Sequence, residues 1–151
     1  MKWLLTLAYH ANRVRCFLLR PLSLSVKLIL IQDEKIVLVQ HSYQPGWHIP
    51  GGGVKRGETL EQAVRREARE ELGATLRRVR LQGLYTHFGE HKSDHLVLFV
   101  CEDFSLTGKR DAEIERLEFF PVRSLPKGLS KSSGRRVEEY LRGQPVMTGL
   151  W

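Results

Sequence analysis

An α/β fold, layered as a sandwich around a mixed sheet, is what this sequence predicts, on three observations. Aliphatic and β-branched runs recur at residues 22–31, 36–40 and 96–101. Two internal segments, 60–72 and 134–141, carry helical patterning. Polar stretches rich in turn residues separate them, and strands interleaved with helices in this way build a sheet covered by helices.

The chain of 151 residues, 42% apolar and 27% charged, suits one compact domain with a real core. Residues 21–146 are assigned to that domain and residues 1–20 to a helical extension. In the extension Lys2 precedes a short apolar run, residues 3–8, which His10, Asn12, Arg13 and Arg15 cut off. No small-x-small cleavage site follows, so secretion is not expected. The run is also far shorter than the roughly 20 apolar residues needed to span a bilayer. A helix ended by Pro21 is expected, packed on its own domain or laid on a membrane surface or a partner subunit, a homo-oligomer included.

Residues 22–31 open the domain as a strand, Asp33 and Glu34 make a turn, and residues 36–40 return as the second strand of a hairpin. Pro45 and Gly46 mark residues 42–47 as loop, and the run IPGGG continues it. After the helix at 60–72, residues 76–85 alternate weakly and 96–101 read as a buried strand, with THFGEHKSDH as a polar loop between them. Residues 117–122 form another short strand, and the helix at 134–141 closes the domain. In the polar loop His87, His91 and His95 recur every four residues, but Gly89 and the flanking strand signals argue against the helix that a zinc site at that spacing requires.

The helix at 60–72 carries the chemistry. Thr59 and Gln62 form a capping-box pair before it, and Gly73 supplies the residue that most easily takes a left-handed carboxyl cap, which brackets about three and a half turns. At about 100° per residue, Leu60, Ala63 and Val64 share a stripe that continues through Glu67, Glu70 and Glu71. Arg65 and Arg69 point away, with Glu61 placed to pair with Arg65. Acid in the last turn opposes the helix macrodipole at a cost of roughly 0.3–1 kcal/mol per group. Crowded carboxylates also raise one another's pKa unless a cation neutralises them, and Arg66 compensates only part of that charge. Carboxylate oxygens on adjacent turns suit Mg²⁺ or Mn²⁺ rather than zinc. Upstream, Pro50 to Gly53 allows close backbone approach, and Glu58 follows at short spacing. Together these residues point to a polyphosphate substrate.

At fixed spacing, Gly52, five residues, Glu58, seven residues, then REAREELGA at 66–74 resembles the Nudix box. Ala68 and Ala74 stand where the family usually has a larger aliphatic, a departure in packing rather than chemistry. The looser likeness covers residues 26–141, including WHIPGG before the box and Glu113 ahead of Phe119, Phe120 and Pro121. The resemblance implies a Nudix α/β/α sandwich that hydrolyses a nucleoside diphosphate linked to another group, using Mg²⁺ or Mn²⁺. It implies that Glu67, Glu70 and Glu71 bind metal, with the Gly51 carbonyl as a further ligand. Glu67 is the group that activates water, Arg66 orients the glutamates and Glu58 braces the loop. An acid outside the box is assigned to Glu113, with Glu90 and Asp94 in reserve. Gly51, Gly52 and Gly53 line the substrate, and Trp47 and Tyr85 are placed to stack on a base, core packing being their alternative.

Twenty-four Lys and Arg against 17 Asp and Glu give a net charge of +7, which attracts anions. A small nucleotide-derived diphosphate is the leading substrate class. RNA with a 5′-terminal pyrophosphate is an alternative, favoured only by charge such as that of Arg77, Arg78 and Arg80. A non-catalytic nucleotide sensor is another, against which Arg66, Glu67, Glu70 and Glu71 weigh. Cys16 and Cys101 are too few for a disulfide framework, which fits a reduced, cytoplasmic setting. No proline lies between Ala74 and Phe120, and no further signature names the group beyond the diphosphate.

Overall fold

The computed structural model describes residues 10, 11, 14, 17–19, 21–89, 92–107 and 112–151. Most of the 1–20 extension, with Cys16, therefore lies outside the described residues, as do Glu90 and His91. Residues 10, 11, 14 and 17–19 are helical and exposed. Among the described residues no helix is long and apolar enough to cross a membrane.

Among the described residues of the domain there are nine strands and two helices. The strands are β1 (Leu22–Gln32), β2 (Lys35–His41), β3 (Gln44–His48), β4 (Ala74–Leu76), β5 (Arg80–Gly89), β6 (Lys92–Cys101), β7 (Phe104–Leu106), β8 (Ile114–Pro121) and β9 (Met147–Leu150). The helices are α1 (Leu60–Leu72) and α2 (Lys131–Leu141). The main sheet runs β3-β2-β1-β6-β5-β9, with β8 paired to β2, and β4 and β7 form a small second sheet. It is mixed: β1 runs parallel to β6 and β5 parallel to β9, while β5 and β6 are antiparallel.

Both faces of the sheet are buried, which explains why its central strands are apolar without clean alternation. Toward α1, Val26, Leu28 and Leu30 of β1 join Val37, Val39, Val97 and Phe99 against Ala63, Val64, Ala68 and Leu72. Toward α2, Ile29, Ile36, Leu38, Leu98 and Val100 pack with Trp47, Tyr85 and Val137. The predicted α/β/α sandwich is thus the observed one.

Several boundaries differ from those expected: the second helix starts at Lys131 rather than 134, the strand expected at 117–122 starts at Ile114, and residues 76–85 divide between β4 and β5. Residues 44–48 are strand β3 rather than loop, because Pro45 lies on the edge of the sheet, where a missing N–H costs no ladder bond. Most of the polar stretch 86–95 is also strand: β5 and β6 stay in register out to Gly89 and Lys92. The fold also extends past residue 146, since β9 adds a parallel strand to β5.

Candidate active site

α1 owes its start and end to local chemistry. The Thr59 hydroxyl accepts the Gln62 N–H, the Gln62 side chain accepts the Thr59 N–H, and Gly73 closes the helix at φ 63°. Those caps set the phase that turns Glu67 and Glu71 toward the sheet.

Arg66 gathers the acids. Its guanidinium donates to Glu58 Oε1 at 2.6 Å and Oε2 at 3.0 Å, to Glu67 Oε1 at 2.6 Å, to Glu70 Oε2 at 3.0 Å and to the Gly53 carbonyl at 2.9 Å. These bonds, those to Glu58 first, raise the Arg66 pKa further above the pH range in which proteins work. The Arg66 hydrogen bond and then the Lys55 N–H pull Glu58 down to about 2. Glu58 therefore ties the loop to the helix through Arg66.

The three box glutamates are not equivalent. Glu70 is 44% exposed and turns onto Arg66 and Lys55, so the stripe does not carry it inward. Ala68 and Leu72 take the buried positions instead. Glu67 is 13% exposed and lies against the glycine turn: a Cβ on Gly52 would meet its carboxylate at 2.7 Å. Glu71 is buried and accepts the Gly51 N–H at 2.8 Å. Burial pushes its carboxyl up to about 7, against the pull of Lys27 and the Gly51 N–H, with Glu67 and Glu113 adding to the rise.

The glycine turn is stitched to β1. Val26 N–H donates to the Gly52 carbonyl and Leu28 N–H to that of Pro50, while Val54 N–H donates to Leu24. Gly51, at φ 132°, has its Cα within contact of that strand, and a Cβ there would strike the Val26 carbonyl at 2.2 Å. Its own carbonyl accepts from Lys27 Nζ at 3.0 Å. Gly51, a metal ligand by the resemblance, thus has its N–H on Glu71 and its carbonyl on Lys27.

A polar cavity of about 710 Å³ opens beside this turn. Gly52, Gly53, Lys27 and Glu113 line it, with Ser25, Lys92 and Asp94 on one side and Ser130, Ser132 and Ser133 on another. Glu113 stands just before β8, half-buried, and its backbone carbonyl accepts the Ser42 N–H. Asp94 accepts hydroxyls from Ser23 and Ser25, at 2.9 Å each, and pairs with Lys92 at 3.4 Å.

The aromatic residues named from sequence are elsewhere. Tyr85 is only 4% exposed: its hydroxyl donates to Glu139 and the Arg136 guanidinium covers its ring at 4.0 Å. Trp47 is buried edge-on against Phe120. Both are held by the core facing α2, so stacking on a base is corrected to structural packing. The rings that line the cavity are Tyr43 and Trp151, with His48 and His87. Sequence reasoning missed Lys27, Tyr43 and Trp151; a lysine amid aliphatic strand residues was the one local signal available.

By donor chemistry the residues fit a divalent ion, since Glu67, Glu70 and Glu71 are hard oxygen donors on adjacent turns and the turn at Gly52 leaves the side of Glu67 open where any side chain would fill it. Among the described residues no three His, Cys, Asp or Glu side chains form a ready-made cage. Arg66 is the cation on which Glu67 and Glu70 converge.

The NUDIX domain profile matches residues 21–140. The chain belongs to the Nudix family. It is a Nudix hydrolase, an enzyme of the pyrophosphatase type, in a family that uses divalent ions and acts on nucleotide-derived substrates. It is 28% identical over 131 residues to the uncharacterized Nudix hydrolase YvcI of Bacillus subtilis, covering 82% of each chain. It is 30% identical over 125 residues to the ADP-ribose pyrophosphatase of Methanocaldococcus jannaschii, covering 80% of this chain and 73% of that one. Among solved structures, a MutT Nudix hydrolase from Burkholderia pseudomallei superposes with a TM-score of 0.71 at 26% identity, covering 78% of this chain and 97% of the other.

Proposed function

We propose that this Nudix hydrolase cleaves the diphosphate linkage of a small nucleoside diphosphate derivative with Mg²⁺ or Mn²⁺. The observation that carries the reading is the glycine turn itself. Gly51 and Gly52 bring backbone to within contact of Glu67 and Glu71 at the rim of a polar cavity. That cavity is within the small-ligand range, on the order of 300–1,000 Å³.

A divalent ion bound there supplies charge neutralisation of the diphosphate and a lowered pKa for the attacking water. Glu67, Glu70, Glu71 and the Gly51 carbonyl would hold it, with Glu113 as the acid from outside the box. Glu67, beside Gly52, takes the proton from the attacking water. Arg66 aims Glu67 and Glu70, and Glu58 holds Arg66 in place, a division of labour supported by their hydrogen bonds. Lys27, Lys92 and the serines of the cavity wall bind phosphate and sugar oxygens, and Tyr43 and Trp151 offer ring surface to the base.

The ADP-ribose pyrophosphatase relative makes nucleotide sugars the first class to assay. Nucleotide sugars, dinucleotides, nucleoside triphosphates and 5′-triphosphorylated RNA are incubated with the protein in Mg²⁺ and in Mn²⁺. Release of a nucleoside monophosphate from a small diphosphate, lowered roughly a thousandfold by Glu67→Gln with the circular dichroism unchanged, is the expected result. Preference for RNA ends would replace the substrate class. Binding without turnover, or full activity of Glu67→Gln, would overturn the reading.

A further inference from the structure

α1 packs chiefly on β1, β4 and β8, and beyond it the same face of the main sheet carries exposed apolar side chains. The ladder register sets them side by side. Leu22 and Phe88 flank Ser93; Leu24, His95, Thr86 and Leu150 form the next row; and Leu84 joins Val26 and Val97 in the row after. Residues paired across a ladder share a face. Leu22, Phe88 and Leu150 are each at least two-thirds exposed, and Leu24 and Leu84 are exposed as well. The polar pair in the middle row, Thr86 and His95, bond to each other at 3.2 Å. A single exposed leucine is ordinary, whereas a contiguous group spread over neighbouring strands marks an interaction surface.

The chain just before β1 has matching properties. Ala11, Val14 and Leu18 recur at the spacing of one side of a helix, and all three are exposed, as is Leu19. Exposed themselves, they leave the sheet face bare. Residues 1–26 hold Lys2, Arg13, Arg15 and Arg20 without an Asp or Glu, four positive charges of the chain's net +7. We propose that residues 1–20 and the bare sheet face together form a membrane-binding surface, whose partner is a bilayer with anionic headgroups. Only Pro21 separates the two parts in the chain. Their apolar side chains enter the interfacial layer while the basic side chains meet lipid phosphates, the combination by which basic amphipathic segments bind membranes. A second copy of the chain fits less well, because it would bring two basic segments together where lipid phosphate neutralises them. The cavity does not compete for this face. His87 of β5 and Asp94 of β6 line it, and they alternate with Thr86, Phe88, Ser93 and His95, so they point to the other side of the sheet.

The full-length chain is floated with vesicles of phosphatidylcholine alone and of equal parts phosphatidylcholine and phosphatidylserine. No metal or nucleotide is present, so the outcome is independent of the proposed hydrolysis. Binding to the mixed vesicles roughly tenfold or more above that to phosphatidylcholine, and weakened by salt, is expected. Arg13→Gln combined with Arg15→Gln should lower it roughly thirtyfold, each charge near an anionic surface being worth about fivefold. Leu22→Ser combined with Phe88→Ser should lower it roughly tenfold with the circular dichroism unchanged. Leu150→Ser takes the place of that pair should the pair not fold, with a loss of about threefold. No binding, equal binding to both vesicle types, or full binding by the folded sheet-face variant overturns the proposal. So does a chain that sediments as a dimer without lipid and as a monomer in that variant, since a second copy then covers the face.

Discussion

Two arginines, one on each helix, do similar chemistry to different ends. Arg66 on α1 ties Glu58, Glu67 and Glu70 together at the rim of the cavity, with its side chain 11% exposed. Arg136 on α2 is 4% exposed: it pairs with Glu139 at 2.7 Å, donates to the Leu150 carbonyl at 3.0 Å and stacks on Tyr85. The first arginine takes Glu67 by one oxygen, and Gly52 sets no side chain against that carboxylate. The second spends its bonds on the strand β9 and a core ring. What separates the two ion-pair networks is that the first leaves an acid with an open side and the second does not.

That contrast is tested by giving each arginine the chance to behave like the other. Arg66→Gln should lower kcat roughly a hundredfold, because glutamates misplaced by about 1 Å cost that much in rate. Its melting temperature should move less than that of the Arg136 variant. Arg136→Met leaves Glu139 without its buried partner and should cost about 3 kcal/mol, which lowers the melting temperature by roughly 6–12 °C in a chain of this size. Its kcat, measured well below the transition, should change less than that of Arg66→Gln. Equal losses of rate and stability in both variants would dissolve the distinction. The smallest effect is in pH. Glu58 is held at about 2 in the fold against an ordinary 4.5, so the folded state binds fewer protons between those values. Its contribution is complete above about pH 5 and is lost as pH falls toward 2. Thermal melts across that interval should show Glu58→Gln flattening part of the acid limb.

The same contrast explains what could be read from the sequence. The bounds of α1 and its arginine pair were legible because their determinants are local: the Thr59 and Gln62 cap, Gly73, the apolar period, and Arg66 eight residues from Glu58. Arg136 was not, since its partners Tyr85 and Leu150 come from other strands. The stretch 86–95 read as loop because His87, Lys92 and Asp94 line a cavity, and a polar cavity wall has the composition of a solvated turn. A stripe drawn at about 100° per residue carries Glu70 inward, but Ala68 and Leu72 fill the core at that level. Lys27 meets Gly51 from a position 24 residues earlier in the chain, a pairing created only when the turn docks on β1.

The parallel ladder between β1 and β6 has a consequence for how the molecule assembles. Its nine registered pairs join Leu22 to Ser93 and Leu30 to Cys101, and the Ser23 to Asp94 bond spans 71 positions. Contacts of such high contact order close late, because the loop entropy is lost before any pairing rewards it. During synthesis α1 leaves the ribosome before β6 exists. The helix must wait, with Ala63, Val64, Ala68 and Leu72 sheltered by no more than β1 and β2, until Val97, Phe99 and Cys101 arrive to complete its seat.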